Sequence, residues 1–286
     1  MQEALDWLNQ KKQNVLSKEC VTIRIPGLKR SYTFLHTSDC HIAQARADEG
    51  ADAVKKAEEL TAFWSYTGRR PAEALEEVLH MADCEQADGL FLCGDAADYW
   101  SDGTLEALRS HLDRTKTELF YVCGNHERSG VEPADSLDFY PAYADLMHGS
   151  PGFWVRDFGE FVIVGMDDGD KEIREEQLEL LQKQFEVGKP ILLLIHIPIL
   201  TQAIMPPVQQ KWGEDGPNYF LLGQESDTEL SRCFCHMLAD PVAPVAAVFA
   251  GHIHLSHAGE IIPGRMQYVS GPAFEGRIRK YVITGE

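Results

Sequence analysis

The sequence predicts an α/β fold built on a largely buried, mixed sheet system. Early strands alternate with helices, a run of strands closes the chain, and several strand candidates are unbroken apolar runs. A strand apolar at every position has both faces covered. Alternation of strand and helix is the pattern of layered α/β packing. No internal repeat, low-complexity tract or linker divides the 286 residues, so a single domain is expected over residues 1–286.

Residues 1–18 read as a short polar helix with Leu5, Leu8, Val15 and Leu16 as its apolar positions, an N-terminal extension that docks or stays mobile. Residues 21–25 alternate like a strand, and Pro26-Gly27 ends it. Residues 32–38 form the next strand and deliver Asp39 and His41. Residues 44–70 interrupt the pattern. Their first part, 45–60, is rich in Ala, Glu and Lys and should be helical. Phe63, Trp64, Tyr66, Arg69 and Arg70 follow. Such a segment is either a wall or lid of a site or an ordinary surface helix, and the sequence leaves both open.

Pro71 opens a clear helix with Ala74, Leu75, Val78, Leu79 and Ala82 on one face. The apolar run 90–93 is a buried strand, and Gly94 lets the chain leave it sharply. A helix over 104–112, a strand over 118–123, a polar loop and a helix reaching Met147 come next. Strands are expected over 153–155 and 161–165, a helix over 172–187 and a strand over 191–195. Residues 198–224 are a second irregular stretch, with four prolines and Trp212, Tyr219 and Phe220. A helix over 227–238, a strand over 245–250 and closing strands over 257–262, 266–269 and 278–283 complete the chain.

The composition, 44% hydrophobic and 25% charged, supplies enough apolar material for a sizeable core. A net charge of -19 argues against a nucleic-acid partner, which would require clustered Lys and Arg. The seven cysteines include no CxxC pair, which favours a reducing, cytoplasmic setting. The first six residues carry two acids and no apolar core, unlike a secretory signal. No apolar run approaches the ~20 residues that span a bilayer.

Five apolar runs each end in residues able to bind metal. They deliver Asp39-x-His41, Gly94-Asp95-x-x-Asp98, Gly124-Asn125-His126-Glu127, His196 and Gly251-His252-x-His254. Each block alone is cheap by chance; order and placement at strand ends, where α/β sheets present their ligands, give the set its weight. Carboxylate, imidazole and amide oxygen suit Mn, Fe or Zn. The absence of thiolate spacing argues against a structural zinc site.

The series resembles the calcineurin-like metallophosphoesterase superfamily, whose signature reads DxH, GDxxD, GNHD/E, H, GHxH in that order. The resemblance implies a sandwich of two mixed β-sheets flanked by helices, in four layers, with two metal ions at the strand ends. Asp39, His41 and His254 would hold one ion, Asn125, His196 and His252 the other, and Asp95 would bridge them. Such a pair would make hydroxide available near neutral pH for attack on a small or medium phosphomonoester or phosphodiester. His126 matches the family's histidine that is not a ligand and would serve as general acid; Asp98 would orient it and keep it cationic. Asp98 also stands where purple acid phosphatases carry a ligating tyrosine, and Tyr99-Trp100 replaces the Arg-Gly that follows in serine/threonine protein phosphatases. No motif places a phosphate-clamping arginine, so Arg69 and Arg70 are candidates by location only. A nuclease of the same superfamily or a non-catalytic scaffold are the alternatives. The acidic composition disfavours the first, and a filled ligand set disfavours the second. Cys40 reads as a small space-filler.

Overall fold

The computed structural model describes residues 17–130 and 136–285. The polar helix expected over residues 1–18 lies outside them, save Ser17 and Lys18, which begin a strand instead. The first of two mixed sheets contains β1 (Ser17–Arg24), β2 (Tyr32–Thr37), β3 (Gly89–Cys93), β4 (Leu119–Val122) and β11 (Arg277–Thr284), in the order β1-β11-β2-β3-β4. The second contains β5 (Phe153–Asp157), β6 (Val162–Met166), β7 (Ile191–Leu194), β8 (Val245–Ala250), β9 (His257–Ile262) and β10 (Arg265–Val269), in the order β5-β6-β7-β8-β10-β9.

Strands β2, β3 and β4 run parallel, as do β6, β7, β8 and β10. Antiparallel β5 and β9 close the edges of the second sheet. Of the parallel strands, β2 and β10 carry polar residues, while β3, β4, β6, β7 and β8 are the unbroken apolar runs. Their side chains point alternately to opposite faces, so both faces need cover. Along β7, Leu192 and Leu194 join the cluster that holds Phe34, Phe91 and Phe120 of the first sheet. Ile191 and Leu193 join Leu181, Phe234 and Leu238 on the other side. Phe249 of β8 meets Phe91 of β3 edge to face, with centroids 4.8 Å apart, so the sheets touch directly.

Helices supply the outer layers. They are α1 (Ala51–Trp64), α2 (Pro71–Cys84), α3 (Asp102–Leu112), α4 (Tyr140–Tyr143), α5 (Glu175–Val187), α6 (Met205–Trp212), α7 (Gly216–Phe220) and α8 (Glu229–Ala239). α2 starts at Pro71 and buries Ala74, Leu75, Val78, Leu79 and Ala82, the face read from its periodicity. The result is helix, sheet, sheet, helix.

Three local expectations differ. The helix expected over 45–60 runs from 51 to 64, because Gly50 at φ 95° separates it from a single 3-10 turn at Ala47–Glu49. The helix expected to reach Met147 is the single turn α4; Pro141 sits in its first turn, and proline is poorly tolerated further inside a helix. The stretch 198–224 holds two short helices, whose first turns carry the very prolines that made it read as irregular. Among the described residues no helix is long and apolar enough to cross a membrane.

Candidate metal centre

The loops that follow β2, β3, β4, β7 and β8 meet at one edge of the two sheets. Backbone bonds zip the first two together: Asp39 N–H to Gly94 O at 2.9 Å and His41 N–H to Asp95 O at 2.9 Å. The loops of the second sheet join through Gly251 N–H to His196 O at 2.9 Å. Two bonds then cross between the sheets. His196 donates Nδ1–H to Cys93 O at 2.8 Å, and His252 N–H donates to Asp39 Oδ2 at 3.1 Å. A Cβ on Gly94 would lie 2.2 Å from His196 Nδ1, and one on Gly124 would lie 2.2 Å from Asp95 Oδ1. These two glycines are therefore required by close approach, not only by turning.

The backbone is strained where the sequence placed ligands. Asp39, His41, Asp95, His252 and His254 have φ between 51° and 69°. A left-handed conformation costs a non-glycine residue about 1–3 kcal/mol, and such strain clusters at functional sites.

The ligand atoms fall into two groups. In the first, His41 Nε2 and His254 Nε2 face each other at 3.2 Å, and His254 Nε2 is 3.3 Å from Asp39 Oδ1. In the second, His196 Nε2 lies 3.1 Å from Asn125 Oδ1, 3.1 Å from His252 Nδ1 and 3.2 Å from Asp95 Oδ2. All seven metal-ligating candidates are thus brought together. Asp95 belongs by distance to the second group, while its field also reaches His41.

This donor set fits metal ions. Ligands ~2.1 Å from one ion lie about 3–3.5 Å from each other, which is the spacing seen within each group. Asp39 Oδ1 is buried, with His254 Nε2 at 3.3 Å but no hydrogen-bond partner among the described residues. His41 spends Nδ1 on Asp98 Oδ1 at 2.7 Å and His196 spends Nδ1 on the Cys93 carbonyl. In both rings Nε2 is left for an ion, with the tautomer fixed from behind.

Electrostatics point the same way. Burial opposes ionisation of Asp39, but the His254 imidazole overrides it and holds the carboxyl at about 2. Burial would lower His196, but Asp95 raises it to about 10. Burial, then the His196 charge, presses His252 down to about 3, so its ring is neutral and ready to ligate. A consequence is testable. In metal-free protein His196 is protonated at neutral pH, so an ion must displace a proton to bind. Metal affinity should therefore climb as pH rises toward about 10. The stability that the charged His196 lends the metal-free protein is full below its unfolded pKa near 6.5 and should fade over the same rise. Calorimetric titrations in two buffers of different ionisation heat should show proton release per ion; affinity independent of pH between 6 and 9 would contradict this.

His126 clusters with His41 and Asp98 beside the first group, its ring 4.5 Å from that of His41, centroid to centroid. Its Nδ1–H donates to the Asp98 backbone O at 2.9 Å, Nδ1 also lies 2.9 Å from Asp98 Oδ1 as an ion pair, and its backbone N–H donates to Asp95 Oδ1 at 2.8 Å. Burial lowers its pKa, but the Asp95 and Asp98 carboxylates outweigh burial and lift it to about 10. Nε2 remains for a substrate. Arg69 and Arg70 are not brought in: Arg69 pairs with Glu77 at 3.1 Å, and Arg70 precedes α2 and lines an open cavity of about 700 Å³ with Gln44 and Ser65. Neither guanidinium contacts a metal-ligating candidate among the described residues. Cys40 is fully buried, and burial pushes its thiol well above the ordinary range, as suits a space-filler.

Sequence reasoning missed several groups. Glu127, fully buried, accepts N–H bonds from Asp95, Ala96, Ala97 and Gly124 at 2.7–3.1 Å and the Tyr121 hydroxyl at 2.5 Å, so it clamps the two loops that carry Asp95 and Asn125. Asp168, equally buried, accepts from His196 N–H at 2.8 Å. Lys211 donates to the His254 carbonyl at 2.5 Å and brings a cation to the edge of the site. Only Glu127 had a signal, its place in the third block. Both unusual segments border the site: Trp64 stacks on His41 at 4.0 Å, Phe220 lies 5.3 Å from His252 and Trp212 lies 5.9 Å from His254, centroid to centroid.

The family model described as calcineurin-like phosphoesterase matches residues 32–256. A dimetal phosphatase from Danio rerio superposes with a TM-score of 0.52 at 15% identity, over 85% of this chain and 88% of that one. A purple acid phosphatase from yellow lupin (Lupinus luteus) seeds gives 0.54 at 17% identity, over 86% of this chain and 45% of that one. At these identities the two structures share the fold. A comparison with curated proteins returned no match.

Proposed function

The chain belongs to the calcineurin-like phosphoesterase family of metal-dependent phosphoester hydrolases, and from that premise we propose that it hydrolyses a small or medium phosphate monoester or diester. Asp39, His41 and His254 would hold one metal ion, Asn125, His196 and His252 a second, with Asp95 shared. The observation that carries this reading is the convergence of two donor groups, each with spacings of 3.1–3.3 Å, at the ends of strands from both sheets.

When bound, the ions supply Lewis-acid polarisation of the phosphoryl group and activation of the attacking water. The chain's own residues do the rest. Asp95 and Asp39 provide negative charge that offsets the ions, and Asn125 adds an oxygen without further charge. His126 presents Nε2 to the leaving oxygen and gives it a proton. Asp98 holds the opposite nitrogen of that ring. Lys211 at the rim favours the anionic ester. The aromatic rings of residues 44–70 and 198–224 wall the entrance, as a cap would, and exclude water from its flanks.

The test is metal analysis of the purified protein with a hydrolysis panel under Mn. Two ions per chain and Mn-dependent turnover of p-nitrophenyl phosphate or bis(p-nitrophenyl) phosphate are expected. Two bound ions without hydrolysis of any phosphate ester would instead support a scaffold.

A further inference from the structure

We infer that Trp64, delivered by α1 from segment 44–70, is a positioning residue for proton delivery by His126; this rests on the proposed role of His126. A single oxygen, Asp98 Oδ1, accepts from His41 Nδ1 at 2.7 Å and Trp64 Nε1 at 3.0 Å and forms an ion pair with His126 Nδ1 at 2.9 Å, whose N–H also meets the Asp98 backbone O. The other oxygen, Oδ2, is buried with no hydrogen-bond partner among the described residues. The carboxylate is therefore anchored at one point only, and its rotation about that point depends on those three groups.

Of these, His41 makes the shortest contact. Left with the two imidazoles alone, the carboxylate gains by swinging toward His41, and His126 keeps only the Asp98 carbonyl. The indole N–H blocks that swing. It donates and cannot accept, so it does not compete for either histidine's proton. The same ring stacks on His41 with planes 15° apart and stands edge-on to His126 at 6.4 Å, which limits sideways movement of both. Trp64 is itself wedged against Phe274 at 4.9 Å and His254 at 5.4 Å. The end of α1 is tied down by Thr61 Oγ donating to Ala43 O at 3.1 Å. The inserted helix thus reaches the acid–carboxylate pair directly, and its role goes beyond covering the site.

Trp64→Phe keeps the stacked ring and removes the N–H. With saturating metal it should lower kcat on an alkyl phosphate about tenfold, leave KM unchanged and spare p-nitrophenyl phosphate, whose leaving group needs no proton. In an Asp98→Asn background the same substitution should cost nothing further, because the contact it served is already changed. In zinc-loaded, ¹⁵N-histidine-labelled protein, the His126 ring N–H resonance should move while that of His196 stays. An unchanged kcat on the alkyl ester, equal loss on both esters, or full additivity with Asp98→Asn would overturn the inference. His126→Ala separates the two levels. If it discriminates between the esters and Trp64→Phe does not, the inference alone falls; if His126→Ala fails to discriminate, the acid role falls and takes the inference with it.

Discussion

Asp95→Ala is expected to strip the protein of both metal ions and of hydrolytic activity. Asp95 is buried, lies 3.2 Å from His196 Nε2 in the second donor group, and its field also reaches His41 in the first. Two cations in one pocket repel, and an anion between them is the least costly way to offset that. Changes in the shell behind a metal ligand already cost about 10–100-fold in affinity, so loss of a shared ligand should cost more than either ion can absorb. Folding should survive. Without Asp95 the His196 ring loses the largest of the charges that raise its pKa, so the charged form is less favoured, and it keeps its bond to Cys93 O. The measurement is metal per chain after gel filtration from excess Mn, together with kcat/KM. Retention of one ion would make Asp95 a terminal ligand of the other. Retention of both would remove it from the ligand set.

What was legible in the sequence divides along a physical line. The apolar runs showed the buried sheets because a strand covered on both faces has no polar position to lose; β7 sends Leu192 one way and Leu193 the other, and both must be apolar. The blocks at strand ends were legible because parallel strands bring their C-terminal loops to a common edge. What was not legible depends on contacts between distant segments. Nothing in the spacing of Trp64 shows that its indole reaches Asp98, 34 residues away. Arg69 and Arg70 follow Trp64 closely, yet Arg69 turns to Glu77 on α2. Residue type and location alone did not distinguish these two fates. Glu127 is an intermediate case. Its place beside His126 was visible, but three of its five donors, the amides of Asp95, Ala96 and Ala97, come from a loop about 30 residues away, and the other two from Tyr121 and Gly124 just before it. Asp98 read as the partner of His126; the fold adds His41 as a second partner, so Asp98→Asn should weaken metal binding as well as proton delivery.

His126→Ala should keep both ions and lower kcat by ~10²–10⁴-fold on esters with alkoxide leaving groups. Retention of metal follows from the backbone. The bond that ties this loop to Asp95 comes from the His126 amide N–H, at 2.8 Å to Asp95 Oδ1, and alanine retains it. Asn125 keeps its place beside His196 for the same reason. The substitution removes only the imidazole, whose Nδ1 is spent on Asp98 and whose Nε2 has no hydrogen-bond partner among the described residues. An alkoxide cannot leave readily without a proton, and nitrophenolate can. The loss should therefore shrink to a few-fold on p-nitrophenyl phosphate. The pH profile should change with it. In the metal-free chain the Asp95 and Asp98 carboxylates raise the His126 pKa to about 10. Cations bound beside Asp95 would offset part of that field, so activity on alkyl esters should fall on an alkaline limb whose midpoint lies below that value. The alanine variant should lack this alkaline limb. Metal content, kcat on both ester classes and the profile from pH 6 to 10 decide the matter together. Loss of metal, equal loss on both esters, or an unchanged alkaline limb would each show that His126 does something other than deliver the proton.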